Sequence, residues 1–248
     1  MATSMAVMAA LQAEGVEVTA AAYVAGHSLG EYSALAAAQA ISLGDAARLL
    51  RIRGDAMQKA VAPGEGAMAA LLGLDFDAAS AVAAEAAKGQ VCAAANDNDP
   101  GQVVISGDRD AVDRAIEIAK GQGAKRAVLL PVSAPFHCAL MQPAADAMAE
   151  ALAEVAFSAP IVPLVGNVTA EADSSVDAIR TRLIDQVTGR VRWRESVGWM
   201  AAHGVTEMWE IGAGKALSGM VRRIDRSVAT RPVGSVDEVK AAVASVDG

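Results

Sequence analysis

The sharpest chemical signal in the chain is five residues long: Gly26-His27-Ser28-Leu29-Gly30. A serine in a G-x-S-x-G run, after a short apolar strand pattern and before a helical one, has the setting of a nucleophile elbow. The glycines permit a tight turn that pushes the Ser28 hydroxyl out of the fold, and the helix N-terminus behind it favours developing negative charge. The backbone N–H of Leu29 is then placed as one oxyanion donor. An ordinary glycine-bounded strand–helix turn would show the same spacing.

A serine nucleophile needs a base, and there are three histidines. His27 adjoins Ser28, so its side chain should diverge from the hydroxyl. His203 ends an amphipathic helix beside Gly204, where an imidazole suits the helix C-terminus. His137, in PVSAPFHCALM, falls where a strand gives way to a loop and then to a helix, a place from which α/β proteins present functional side chains. A histidine there can take the Ser28 proton and return it to a leaving group. The structural alternative is a helix-capping histidine. Cys138 beside it reads as a small buried residue rather than a second nucleophile.

Arg53 is the third signal. At helical spacing its neighbours are Leu49, Leu50, Ala56 and Met57, which puts it on an apolar stripe, whereas Arg51 has Ala47, Arg48, Gly54 and Asp55 and suits a solvated face. An inward arginine must find an acid or an equivalent acceptor. Two readings remain open: a structural ion pair, or a fork for a substrate carboxylate, which guanidinium geometry suits. Two other patterns are weaker. Gly212-Ala213-Gly214 lacks the third glycine and the acid of a dinucleotide site, and Asn96-Asp97-Asn98-Asp99-Pro100-Gly101 reads as a turn rather than a cation loop.

These residues need elements to hold them, and 248 residues at 53% hydrophobic can bury a large core. With 21 basic against 29 acidic residues the chain is net −8, which argues against a nucleic-acid binder. No apolar run reaches the ~18 residues that span a bilayer. The opening MATSMAVMAALQAEG lacks a basic stretch and reads as an amphipathic helix, not a leader. Cys92 and Cys138 are too few for a disulfide framework, so the expected setting is the reducing cytoplasm, and the scattered histidines give no metal site.

Strand and helix patterns alternate to either side of a distinct segment. Residues 64–132 read β-α-β-β-α-β, a ferredoxin-like order, with NDNDPG as the turn between the middle strands. Residues 1–63 and 133–248 read as helices between short apolar strands, hence a mostly parallel sheet. The expectation is an α/β fold: a large domain formed by 1–63 and 133–248, with a small ferredoxin-like domain at 64–132 inserted into it.

Taken in order, GHSLGEYSAL, RIRGDAMQ and PFHCALM resemble the malonyl-CoA:acyl carrier protein transacylase family, and the likeness continues through NDNDPGQVVISG, LVGNVT and EIGAGKAL. The resemblance implies an α/β-hydrolase-like large domain with a ferredoxin-like insert. It implies that Ser28 takes malonyl from coenzyme A as an ester and passes it to the phosphopantetheine thiol of acyl carrier protein, with no bound cofactor. His137 would be the base, oriented by the backbone carbonyl of Gln186 rather than by an acid. Arg53 would pair with the malonyl carboxylate, Phe136 matches malonyl-selective relatives, and Asn98 would border the cleft.

The family's opening strand and GQGSQ loop, whose first glutamine supplies a second oxyanion N–H, have no counterpart before Met1, and Gly121-Gln122-Gly123 is no substitute. Loss of one such donor costs about 3–4 kcal/mol. The expectation is therefore a shortened form, or one completed by a partner. A serine esterase, which would need an acid to orient His137, and an inactive binding remnant are the other readings. The acidic carrier protein is expected to dock near Arg190, Arg192, Arg194, Lys215, Arg222, Arg223 and Arg226, seven basic residues against four acidic between positions 186 and 226. The chain is expected to act as a monomer.

Overall fold

The computed structural model describes residues 1–246. In chain order the elements are α1 (Ala2–Ala13), β1 (Val24–Ala25), α2 (Gly30–Ala37), α3 (Leu43–Lys59), β2 (Gly66–Leu72), α4 (Phe76–Ala87), β3 (Cys92–Asp99), β4 (Gln102–Asp108), α5 (Arg109–Gly121) and β5 (Arg126–Leu129). They continue as α6 (Gln142–Ala153), β6 (Leu164–Val165), β7 (Ala172–Asp173), α7 (Val176–Thr188), α8 (Trp193–Ala202), β8 (Glu207–Ile211), α9 (Ala216–Ile224), β9 (Ala229–Val233) and α10 (Val236–Val246). The fold is α/β, and its contacts divide it into two compact units: Met1–Ala47, Ala156–Ile179 and Glu195–Gly248 in one, Arg48–Val155 and Arg180–Arg194 in the other.

In the first unit β1 runs parallel to β6, with β7 antiparallel on the far side of β6, and β8 runs parallel to β9. Val7 and Leu11 of α1 pack with Val233, Val239 and Ala242 of β9 and α10. Ser42, just before α3, accepts from the Asp45 N–H at 3.0 Å and donates to the Asp45 carboxylate at 2.6 Å, so the helix starts where a capping residue satisfies its first turn.

The second unit is built on an antiparallel sheet of order β3-β4-β2-β5. Leu71, Val103 and Ile105 point to one face and pack with Val82 and Ala83 of α4 and Val112 and Ala115 of α5. The Asp75 side chain caps α4 by accepting from the Ala78 N–H at 2.8 Å. On the other face Met68, Ala70, Ala95 and Val104 form a second apolar cluster. The β-α-β-β-α-β core lies within 64–132, while the unit around it also takes in residues 48–63, 133–155 and 180–194.

One expectation is corrected. Asn96, Asp97, Asn98 and Asp99 are not a turn: they continue β3 and are all buried, leaving only Pro100 and Gly101 to reverse the chain. β3 is an edge strand, and its pairing with β4 shifts register twice, between Ala94 and Asn96 and between Asp97 and Asp99. The free edge is covered from afar: the Asp97 N–H donates to the Val191 carbonyl at 2.9 Å, and the Val191 N–H donates to the Ala95 carbonyl at 2.8 Å. Polar residues that read as a turn are buried because distant groups satisfy them.

Candidate active site

Ser28 sits between the C-terminal end of β1 and the start of α2, with φ +51°. A non-glycine residue in the left-handed region costs about 1–3 kcal/mol and persists only where neighbours fix it. Asn167 is that neighbour. Just beyond β6, it is buried, its Oδ1 accepts from the Ser28 N–H at 2.7 Å, and its Nδ2 donates to the Gly26 carbonyl, also at 2.7 Å. Because β1 and β6 are parallel, both groups leave the same end of the sheet, the end at which α/β sheets place their ligands.

The strained residue is therefore the serine itself, and the glycines do different work. A Cβ on Gly26 would run into the Gly30 carbonyl and the Glu31 nitrogen, whereas one on Gly30 would meet nothing within 4 Å. The turn's own bonds use the N–H groups of Gly30, Glu31 and Tyr32 on the carbonyls of His27, Ser28 and Leu29. The Leu29 N–H, at the N-cap of α2, is not one of them.

The second unit holds the other candidates. His137 is buried, with φ +59°. Its Nδ1 lies 2.8 Å from the Gln186 carbonyl and 3.1 Å from the Gly189 carbonyl. Carbonyl oxygens only accept, so Nδ1 carries a proton; in the neutral ring the lone pair then lies on Nε2, the arrangement a general base needs.

Arg53 is buried on the stripe Ala46, Leu49, Arg53 and Met57 of α3, as its spacing requires, while Arg51 pairs with Asp55 at 2.9 Å in solvent. Arg53 Nη2 donates to Gln186 Oε1 at 2.9 Å. That oxygen supplies a hydrogen bond and no charge. Phe136 packs on the cluster formed by Met68, Ala70, Ala95 and Val104, which anchors the chain one residue before His137. Asn98 is buried in β3. His137, Gln186 and Arg53 are thus joined directly, and Ser28 is held by its own set of bonds in the other unit.

Sequence reasoning assigned no role to Asn167, although it follows the apolar run VPLVG directly, where a polar residue leaving a strand end is a signal. It also missed the ion pair of Arg194 with Asp97, because both residues lie in segments that read as polar surface.

The first unit thus carries a serine elbow at the end of parallel strands, and the second a buried histidine held by main-chain carbonyls, within an α/β fold. A family model described as acyl transferase domain matches residues 1–183. The chain is 49% identical over 228 residues to the malonyl CoA-acyl carrier protein transacylase of Escherichia coli (strain K12), covering 92% of this chain and 73% of that one. The chain belongs to this transacylase family.

The solved acyl-carrier-protein-S-malonyltransferase of Bartonella henselae matches with a TM-score of 0.97 at 53% identity, over 100% of this chain and 79% of that one. A malonyl-transacylase solved in complex with its type II polyketide acyl-carrier protein matches with a TM-score of 0.95 at 41% identity, over 98% of this chain and 78% of that one. Among the described residues no helix is long and apolar enough to cross a membrane.

Proposed function

We propose that the chain moves a malonyl group from malonyl-CoA to the phosphopantetheine thiol of an acyl carrier protein, by a ping-pong route through an ester on Ser28. Ser28 Oγ attacks the thioester carbonyl as His137 Nε2 takes its proton, and the Leu29 N–H stabilises the oxyanion. The C–S bond then breaks, and His137 returns the proton to the departing coenzyme A sulfur. In the second half the carrier thiol gives its proton to His137 and attacks the ester. The C–O bond breaks, and Ser28 recovers the proton.

Arg53 binds the malonyl carboxylate, which selects a diacid over acetyl. Phe136 and Asn98 border the acyl group, and residues 64–132 act as the inserted small domain. The cytoplasm is the proposed setting, supported by two cysteines that are both buried and unpaired.

The observation that carries this reading is the pair of main-chain carbonyls on His137 Nδ1. An esterase of the usual kind orients its histidine with a carboxylate; carbonyls fix the tautomer without adding charge, as the family resemblance implies. The test is intact-protein mass spectrometry after brief mixing with malonyl-CoA. A malonyl adduct on the chain and none on Ser28→Ala is expected. No adduct on a folded sample, or an adduct that survives Ser28→Ala, would overturn the proposal.

A further inference from the structure

Asp97 is fully buried, and a buried carboxylate persists only where it is paired and hydrogen-bonded. Arg194 does both. Its Nε lies 3.0 Å from each Asp97 oxygen, and its Nη2 donates to Oδ2 at 2.8 Å. The pair joins β3 to the far end of a stretch that begins at the C-terminal turn of α7. Further contacts hold the same stretch. The Gly189 N–H donates to the Asp185 carbonyl at 2.7 Å. Arg190 lies over the Phe76 ring, 4.0 Å from its centroid. Val191 bonds both ways with the β3 edge.

The carbonyls of Gln186 and Gly189, which hold His137, belong to this same stretch. Gly189 is two residues from Val191, a reach of about 7 Å at full extension. A shift of the segment on β3 therefore has only two residues in which to be absorbed before it reaches a carbonyl that holds the histidine.

Resting on the proposed function, we infer that Asp97 and Arg194 are positioning residues: their ion pair pins residues 186–194 to β3 and so holds His137 as a base. Neither residue touches the acyl group in this scheme. The pair acts through two carbonyls, and an error of about 1 Å in such a group can cost ~10²-fold in rate.

The test compares Asp97→Asn and Arg194→Lys with the unaltered chain by two readouts, one of them independent of activity. Ring nitrogen NMR on the full chain separates three histidines, with His137 assigned from His137→Asn. In the unaltered chain His137 should read as protonated at Nδ1 and bare at Nε2. In Asp97→Asn the two nitrogen signals should converge as the tautomers mix. The kcat for malonyl transfer should fall about tenfold or more, with KM for malonyl-CoA moving less than about twofold. Arg194→Lys, which keeps the charge and loses the fork, should lie between.

Lower melting with an unchanged tautomer and unchanged kcat would overturn the inference, leaving the pair only as support for the fold. If Asp97→Asn does not fold, Arg194→Lys decides by the same two readouts. If the unaltered chain forms no malonyl adduct, the proposed function fails, and the tautomer readout still decides this inference.

Discussion

Arg53 reaches Gln186 through the side chain, Nη2 to Oε1 at 2.9 Å, while the main-chain carbonyl of the same Gln186 holds His137 at 2.8 Å. One residue therefore bonds Arg53, the proposed carboxylate binder, and His137, the proposed base, through different atoms. Damage to the first need not spread to the second, because the carbonyl stays in place when the amide changes partners.

That separation makes the Arg53→Ala prediction selective. Malonyl transfer should lose about 10²-fold in kcat/KM, since removing one partner of a buried charge pair costs about 3 kcal/mol or more. Acetyl transfer should be spared or improved. Parallel assays with malonyl-CoA and acetyl-CoA check this, and an equal loss of both would mean that Arg53 only supports the fold.

The two glycines around Ser28 should behave oppositely. At Gly26 a methyl group meets the backbone of Gly30 and Glu31, which cannot swing aside as a side chain can. Gly26→Ala should lower the melting temperature by several degrees and abolish the Ser28 adduct. At Gly30 the space is open, and alanine favours the helix that starts there. Gly30→Ala should keep both the adduct and the melting point. Calorimetry with intact-mass measurement on the same samples compares them, and a tolerated Gly26→Ala would remove the steric account of the elbow.

How legible this was in the sequence depended on how local each cause is. Arg53 was readable because its burial follows from spacing within one helix. The elbow was readable as a motif, but not that the left-handed residue is Ser28, since that conformation is held by Asn167, 139 positions away. Asn96 to Asp99 misled for the same reason. Four polar residues before Pro-Gly favour a turn on local grounds, and the groups that make them a buried strand lie at Val191 and Arg194. The Gln186 carbonyl was reachable only through family resemblance, because a backbone atom leaves no mark in residue type.

The cysteines give a pH prediction. Burial pushes the Cys92 thiol up from its ordinary 9.0 to about 11, and burial likewise raises Cys138. A raised folded value means that the folded state binds more protons than the unfolded state across this window. Their contribution to stability should be intact below pH 9 and decline as pH rises toward 11. Chemical denaturation across that range should show the decline, with a smaller slope in Cys92→Ala. Neither thiol should react with iodoacetamide in the native chain at pH 8.

We propose that the carrier protein is steered chiefly by the basic residues at the C-terminal end of the stretch 186–226. Arg194 is committed to Asp97, Arg190 lies over Phe76, and Arg222 Nε donates to the Ser218 carbonyl at 3.2 Å. Lys215, Arg222, Arg223 and Arg226 are exposed, and in a chain of net −8 they are a local basic group suited to an acidic partner. Rim charges act chiefly on encounter rate and salt dependence. The double change Arg223→Glu and Arg226→Glu should raise KM for the carrier protein about tenfold at low salt and flatten its dependence on ionic strength. Ser28 acylation by malonyl-CoA should stay unchanged, because that half-reaction involves no carrier. Steady-state assays at two salt concentrations, beside the intact-mass assay, separate the two halves. Unchanged carrier kinetics would place the docking surface elsewhere, and a parallel loss of acylation would show that these arginines serve coenzyme A instead.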